Sequence, residues 1–377
     1  MELIIDSEVF SKAILDVNKA VSSRTPFPIL TGIKLTAYEN CLILVGSNSE
    51  IALKKVIPLE MDGLKVLKVI KTGNVVISAK YLSEIVKKLP HEIHLKVNEK
   101  QLVTIQSHEI VTNLQGFSAE EYPSLPQIDE AECIKIPSGD LAEIIKQTVF
   151  AVSKSESRPT LTGVNMTFEK NQLTCVATNS QRLALRELAI KSSINGSFIV
   201  PGSSLNELIK IINNETGVIH VSLLDNNYIV FKLNTISLFS RLIDGNYPSI
   251  SGLVPNNMKT IITLNTKQLL MGIDRACLFA SDWKNNNVNL EIKDGTKIKI
   301  SSNSSEIGKI EETQSIKTIN GETDLSISFD GSFLMDSLKV IKEEEIKISF
   351  GGPLRPIVIE PTDNSSFLHL ISPVRSY

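Results

Sequence analysis

Pro28-Ile29-Leu30-Thr31-Gly32 returns 131 residues later as Pro159-Thr160-Leu161-Thr162-Gly163. The same offset carries the stretch from Ser7 to Ser22 onto that from Ser138 to Ser153. It also carries Asn48-Ser49 onto Asn179-Ser180; apolar Ile51, Ala52 and Leu53 follow the first, and Leu183, Ala184 and Leu185, one position further on, follow the second. A third form appears as Asn303-Ser304-Ser305-Glu306-Ile307-Gly308. A unit of roughly 125 residues has therefore been copied, far longer than a solenoid repeat and close to the commonest domain size. A chain of 377 residues holds three such copies. Related linkers, Phe117 to Ser124 and Leu242 to Ser249, place the boundaries near residues 127 and 252, giving domains 1–127, 128–252 and 253–377.

Each copy opens on a helical pattern. Val9, Phe10, Ala13, Ile14, Val17 and Val21 recur at three- and four-residue spacing behind Ser7, the expected N-cap. Leu141, Ile144, Ile145, Val149 and Val152 do so behind Ser138, and Leu269, Leu270, Ile273, Ala276 and Cys277 behind Asn265. Period-two and β-branched runs follow at Thr31 to Tyr38, Cys41 to Val45, Gln172 to Ala177, Ile261 to Leu264 and Lys297 to Ile300, read as antiparallel strands. A second helix then ends on an aligned lysine in every copy: Tyr81 to Lys87, Ser204 to Lys210, Phe333 to Lys339. The fold class is α+β, with two helices packed on antiparallel sheet in each copy.

A hydrophobic content of 42% and a charged content of 21% suit a globular chain. The acidic start lacks the basic and apolar regions of a secretory signal, and no apolar run approaches 18 residues, so neither secretion nor a membrane partner is expected. Cys41, Cys133, Cys175 and Cys277 are scattered and read as reduced cytosolic thiols. No phosphate loop, dinucleotide fingerprint, nucleophile elbow or zinc-protease helix is present, so the reading is non-enzymatic, without cofactor. His91 and His94 have a metal-like spacing but lie in an expected loop without further ligands, and read as surface histidines.

Net charge of −3 gives no pull toward nucleic acid, so any such contact depends on how charge is distributed. Lys87, Lys210 and Lys339 sit at equivalent places on three equivalent helices, a spacing that suits a polyanion whose charge repeats along its length. An exposed helix face also favours lysine for its helix propensity alone.

Three tandem α+β copies, the opening Arg24-Thr25-Pro26-Phe27-Pro28-Ile29-Leu30, the segment Thr178-Asn179-Ser180-Gln181-Arg182-Leu183-Ala184, the linker Asp244-Gly245-Asn246-Tyr247-Pro248 and the tail Pro373-Val374-Arg375 together resemble the bacterial DNA polymerase III β subunits, the sliding clamps, of the low-GC Gram-positive type. The resemblance spans the whole chain. It implies clamp domains that close as a head-to-tail homodimeric ring around duplex DNA without reading its sequence. It implies a processivity role in the cytoplasm, at nucleoid replication forks, with the replicative polymerase α subunit, the clamp loader and other clamp-binding proteins as partners. Alternatives left open are a clamp-fold interaction scaffold or a specialised second clamp.

Carried over residue by residue, the resemblance implies DNA contacts from Arg24, Lys87, Lys210 and Lys339. It implies a peptide pocket from Leu161, Thr178, Gln181, Arg182, Leu183, Pro248, Leu253, Asp330, Phe333, Leu354, Pro356, Leu370, Ile371, Ser372, Pro373, Val374 and Arg375. Leu114, Leu278 and Phe279 are the expected apolar core of the dimer contact. Departures from the family pattern at Asn179, Gln181, Gly252, Asp330 and Ser372 bear on partner affinity.

Overall fold

The computed structural model describes the chain apart from residues 23–24, 129–132, 193–194, 214–215, 225–226, 251, 256, 281–286, 305–307, 364–365 and 375–377. The first copy runs β1 (Glu2–Asp6), α1 (Ser7–Asn18), β2 (Gly32–Ala37), β3 (Cys41–Ser47), β4 (Ile51–Pro58), a small ribbon of β5 (Glu60–Met61) and β6 (Leu64–Lys65), β7 (Leu67–Lys71), β8 (Gly73–Ser78), α2 (Ala79–Val86), β9 (Glu92–Val97), β10 (Leu102–Ser107) and β11 (Ile110–Gln115). The second runs β12 (Ile134–Pro137), α3 (Ser138–Lys146), β13 (Gly163–Glu169), β14 (Gln172–Thr178), β15 (Arg182–Ala189), β16 (Gly196–Pro201), α4 (Gly202–Ile212), β17 (Val218–Leu224), β18 (Tyr228–Leu233) and β19 (Ile236–Arg241). The third runs β20 (Thr260–Asn265), α5 (Thr266–Ala280), β21 (Asn287–Lys293), β22 (Lys297–Ser304), β23 (Gly308–Ser315), β24 (Thr318–Gly321), β25 (Leu325–Asp330), α6 (Gly331–Lys339), β26 (Glu345–Phe350), β27 (Ile357–Pro361) and β28 (Phe367–Ile371).

Two helix ends differ from the sequence pattern. α1 is capped by Asp6, whose carboxylate accepts from the N–H groups of Glu8 at 3.0 Å and Val9 at 2.9 Å, and Ser7 becomes the first helical residue. A carboxylate satisfies two orphan donors and complements the positive helix end, an advantage a hydroxyl lacks. α3 stops at Lys146 although its apolar spacing continues to Val152, and residues Val149–Ala151 form a single 3-10 turn. The Thr148 hydroxyl donates to the Ile144 carbonyl at 2.8 Å while its N–H bonds Ile145, three residues back, so the chain leaves α geometry there. Asn265 caps α5 as expected, accepting from Gln268 at 2.9 Å.

Contacts group the chain into two compact units. Unit 1 comprises Met1–Gly139 and Asn206–Leu242, unit 2 Asp140–Leu205 and Ile243–Tyr377. Unit 1 holds a sheet ordered β11-β10-β9-β1-β7 and another ordered β12-β17-β18-β19-β4-β3-β2-β8. Unit 2 holds β16-β13-β14-β15-β28-β27-β26-β20-β24 and β23-β22-β21-β25. The middle copy thus gives half of its strands to each unit, because its strands continue the sheets of its neighbours.

Each unit contains one seam between copies. In unit 1, β4 of the first copy pairs with β19 of the second, Leu53 facing Leu238 and Ala52 facing Phe239. In unit 2, β15 of the second copy pairs with β28 of the third, Ala184 facing His369 and Leu183 facing Leu370. The third copy's counterpart of β4 and β15 is β23, and the first copy's counterpart of β19 and β28 is β11. Both lie at the ends of their sheets.

The helices bury one stripe against these sheets. Phe10, Ala13, Ile14 and Val17 of α1 are buried, as are Leu269, Ile273 and Ala276 of α5, and each large side chain contributes about 1.5–3 kcal/mol. An ion pair between helix and sheet also marks the repeat, buried in the first copy and exposed in the third. Asp16 on α1 meets Lys55 on β4 at 3.7 Å, and 259 positions later Arg275 on α5 meets Glu312 on β23 at 2.7 Å. The site keeps its pair while the charges trade places.

Candidate functional site

Three sets of residues stand out: helix-end lysines, an apolar cluster at the seam of unit 2, and the end strands β11 and β23. Lys87, Lys210 and Lys339 each stand at the ninth position counted from the helix starts Ala79, Gly202 and Gly331; Lys87 is the C-cap of α2, Lys210 lies in the last turn of α4 and Lys339 ends α6, so their sequence alignment is a structural equivalence. All three are exposed. Lys210 is held by Glu207 at 2.6 Å, with its side chain 59% exposed. A cation in the last helical turn complements the negative helix end, so the position favours lysine locally as well as for an anion outside. Arg24 lies outside the described residues.

The apolar cluster is built on a turn that occurs twice. The Thr178 hydroxyl donates to the Arg182 carbonyl at 2.6 Å and accepts from Ser180 N–H at 3.1 Å. Asn179 Oδ1 accepts from Gln181 and Arg182 N–H at 3.0 and 2.9 Å. Ser47 bonds the Ile51 carbonyl at 3.0 Å, and Asn48 accepts from Glu50 and Ile51 at 3.1 and 3.0 Å, reproducing the turn in unit 1. Ser49 and Ser180 adopt positive φ, 79° and 77°, at the same place. Asn179 needs only one acceptor oxygen for this, so an aspartate there is dispensable for the turn.

On this frame Leu183, Leu370 and Val176 are buried together, with Leu185, Leu368, Tyr247 and Ile250 packed against them. The Tyr247 hydroxyl accepts from Thr178 N–H at 3.0 Å, and burial pushes its pKa up to about 12, so it remains protonated. The chain end is tied to the same place: Ser372 N–H bonds the Gln181 carbonyl and Val374 N–H the Ser328 carbonyl, each at 2.8 Å. Thr178, Gln181, Leu183, Leu370, Ile371, Ser372 and Val374 are thus brought together. Leu253 and Leu354 stand 48% and 69% exposed. Pro248 is exposed, Pro356 and Pro373 are half-buried, and Leu161 is buried in its own 3-10 turn. Arg375 lies outside the described residues. Tyr247, Ile250, Val176, Leu185 and Leu368 were missed by sequence reasoning, although Tyr122-Pro123-Ser124 and Tyr247-Pro248-Ser249 repeat visibly.

Arg182 and Asp330 act inward. Arg182 is 6% exposed; its guanidinium meets Asp336 of α6 at 2.7 Å, bonds the Phe150 carbonyl, and lies 4.5 Å from the centre of the Phe333 ring. These contacts tie β15 to α6, which makes Arg182 and Phe333 a support for the cluster. Asp330 caps α6 through Ser332 N–H at 2.9 Å.

Behind Arg182, His369 is fully buried, with Nε2 3.2 Å from the Gln147 carbonyl and its ring edge-on to Phe150 and Phe367. Burial, helped by the Arg182 charge and opposed by the Gln147 hydrogen bond, pushes its pKa from 6.5 down to about 3. The unfolded chain then takes up a proton near pH 6.5 that the folded chain refuses until near pH 3, so stability falls with pH across that window. By pH 5.5 the loss is about 1.4 kcal/mol. Denaturant unfolding at pH 7.5 and 5.5 is expected to show this extra loss in the native chain and not in His369→Gln; equal pH sensitivity in both would contradict it.

His94 is in strand β9 rather than a loop, 3.0 Å from Glu2, because β9 pairs with β1 at that register. Among the described residues no group of three His, Cys, Asp or Glu is placed to hold a metal, and no helix is long and apolar enough to cross a membrane.

Among the strands that end a sheet are β11 and β23. On β11 Leu114 is half-buried, with Ile110 and Val111 45% and 55% exposed. Near the end of α5 Leu278 is 68% exposed and Phe279 half-buried.

Three family descriptions match in order: the DNA polymerase III beta subunit N-terminal domain over residues 1–126, its central domain over 135–249 and its C-terminal domain over 251–375. The beta sliding clamp of Bacillus subtilis is 43% identical, and that of Halalkalibacterium halodurans 40% identical, each over the full length of both chains. The crystal structure of the Bacillus subtilis DNA polymerase sliding clamp superposes with a TM-score of 0.97 at 42% identity, covering all of both chains.

Proposed function

The chain belongs to the bacterial DNA polymerase III beta subunit family, the sliding clamps, and from that premise we propose how its own residues do the work. It is a DNA sliding clamp, a non-catalytic processivity factor that acts with DNA, polymerase and clamp-binding proteins. The observation that carries the residue-level reading is the seam: it closes twice within the chain, at β4–β19 and β15–β28, and leaves β23 and β11 at sheet ends. Two chains supply six copies, so β23 of each protomer pairs with β11 of its partner and the ring closes head to tail. The three domains are 1–127, 128–252 and 253–377.

The internal registers supply the template for the proposed pairing. Ala184 faces His369 and Leu53 faces Leu238, so their counterparts, Ile310 and Thr112 of the partner subunit, face each other. Phe150 lies edge-on to His369 at 5.0 Å across the seam of unit 2, and its counterpart 128 positions on is Leu278. Leu278 therefore covers the partner's Thr112, with Phe279 and Leu114 beside the same seam.

A closed ring holds DNA by topology, so strong phosphate contacts are unnecessary and would slow sliding. This suits a chain of net charge −3. Lys87, Lys210, Lys339 and Arg24 touch duplex phosphates loosely and without sequence preference. Replacing all four with alanine is expected to lower loading several-fold and flatten the salt dependence of DNA association, with the dimer intact; an unchanged salt slope would contradict the assignment. Clamp-binding peptides from the replicative polymerase α subunit, the clamp loader and other partners dock at the Leu183–Leu370 cluster and its rim. The site of action is the cytoplasm, at nucleoid replication forks.

The function is tested by processive synthesis on a primed circular template with cognate polymerase and loader. Products lengthened by the chain support the reading, and unchanged lengths contradict it.

A further inference from the structure

The spacing of His91 and His94 suggests one pair of imidazoles, and the fold builds another. His94 sits in β9 with Nε2 3.0 Å from Glu2. His91, in the turn before β9, meets His108, in the turn between β10 and β11, with ring centres 5.2 Å apart and ring planes at 86°. Both residues are exposed. Their backbones are held in place: Ser7 N–H donates to the His91 carbonyl at 2.9 Å, and Gln106 Nε2 donates to the His108 carbonyl at 3.2 Å. The Ser107 hydroxyl donates to the Pro90 carbonyl and so ties the two turns side by side. Both histidines adopt positive φ, 54° and 49°, a region that few residues other than glycine occupy. The imidazoles are therefore brought together by fixed backbone rather than by the chance meeting of two long side chains.

We propose that His91 and His108 together bind a divalent late transition-metal ion of the Zn²⁺ class, with water completing its coordination. Two imidazoles on one tetrahedral Zn²⁺, each with a Zn–N bond of about 2.1 Å, stand about 5.3 Å apart centre to centre, and perpendicular ring planes share a line on which the ion can lie. Imidazole nitrogen suits such ions, whereas Mg²⁺ and Ca²⁺ prefer oxygen. Among the described residues no third His, Cys, Asp or Glu is placed to join the pair, so two protein ligands hold the ion. It pins the turn before β9 to the β10–β11 hairpin. A rival pair is Cys133 and His220, with Sγ 3.4 Å from Nδ1. Strand register sets Lys135 on one side of His220 and Lys232 on the other, which disfavours a cation there. The proposal rests on these two turns of unit 1 and is independent of the clamp reading.

The test is calorimetric titration of the intact chain with Zn²⁺, and with Mg²⁺ for comparison. The expected result is binding of Zn²⁺ in the micromolar range that Mg²⁺ does not reproduce. Its affinity falls at least tenfold in His91→Asn and in His108→Asn, and is unchanged in His94→Gln and in Cys133→Ser. Asparagine tolerates positive φ, so both turns are kept, and melting curves recorded without metal confirm that each variant is folded. A rise in melting temperature on adding Zn²⁺ is expected in the native chain and is lost in the same two variants. Zn²⁺ binding that survives both histidine variants, that disappears in Cys133→Ser, that requires millimolar ion, or that Mg²⁺ matches would each overturn the proposal.

Discussion

Leu278→Asp is expected to convert the dimer into monomers. Leu278 is 68% exposed in the single chain, so the fold does not depend on its burial and the variant should fold. In the proposed ring it takes the place that Phe150 holds against His369 within unit 2. A carboxylate at that place is buried without a partner at both seams, because the two contacts are related by symmetry. At about 3 kcal/mol for each unpaired charge, two seams shift dimerisation by roughly four orders of magnitude. Sedimentation at micromolar concentration is expected to show a native dimer and a variant monomer, with superimposable circular dichroism. A variant that stays dimeric would mean that the chains associate through another surface.

Leu183→Ala combined with removal of the chain from Ser372 onward is expected to abolish measurable binding of a partner peptide bearing a glutamine followed by spaced Leu and Phe. Leu183 faces Leu370 across the seam and forms the base of the cluster, so its truncation leaves a hollow under the aliphatic anchor. The tail, held by Ser372 to Gln181 and Val374 to Ser328, forms the adjoining wall. Losing either is expected to weaken binding at least thirtyfold, about 2 kcal/mol, as for an anchor in a desolvated pocket. Because Ser372 presents a small polar side chain and Gly252 none, even the native chain is expected to bind about 1 kcal/mol less tightly than a clamp with apolar and long side chains there. Calorimetric titration measures all of these, and unchanged affinity after the tail is removed would place the peptide elsewhere.

The repeat was legible because copied helices keep their apolar spacing, and even the Asp16–Lys55 pair survives as Arg275–Glu312 with its charges exchanged. Helix ends were less legible. Whether Asp6 or Ser7 caps α1 depends on which side chain reaches two N–H groups, and α3 ends where the Thr148 hydroxyl captures a nearby carbonyl. The site residues divide by the distance over which they act. Asn179 and Thr178 work within five positions and could be read locally. Arg182 reads as part of a polar turn, yet its direction is set by Asp336, 154 residues away, and by the Phe333 ring. Leu185 and Leu368 acquire a role only when β15 pairs with β28, a register that the two segments do not encode separately.

The most direct test of ring closure around DNA is retention on a nicked circular duplex after loading by a cognate loader, followed by cutting the circle once. The chain is expected to stay on the circle through high-salt filtration and to leave within minutes of linearisation, by sliding off the ends. Loss from the intact circle at the same rate as from the linear form, or persistence on linear DNA with free ends, would contradict a clamp that holds DNA by encircling it.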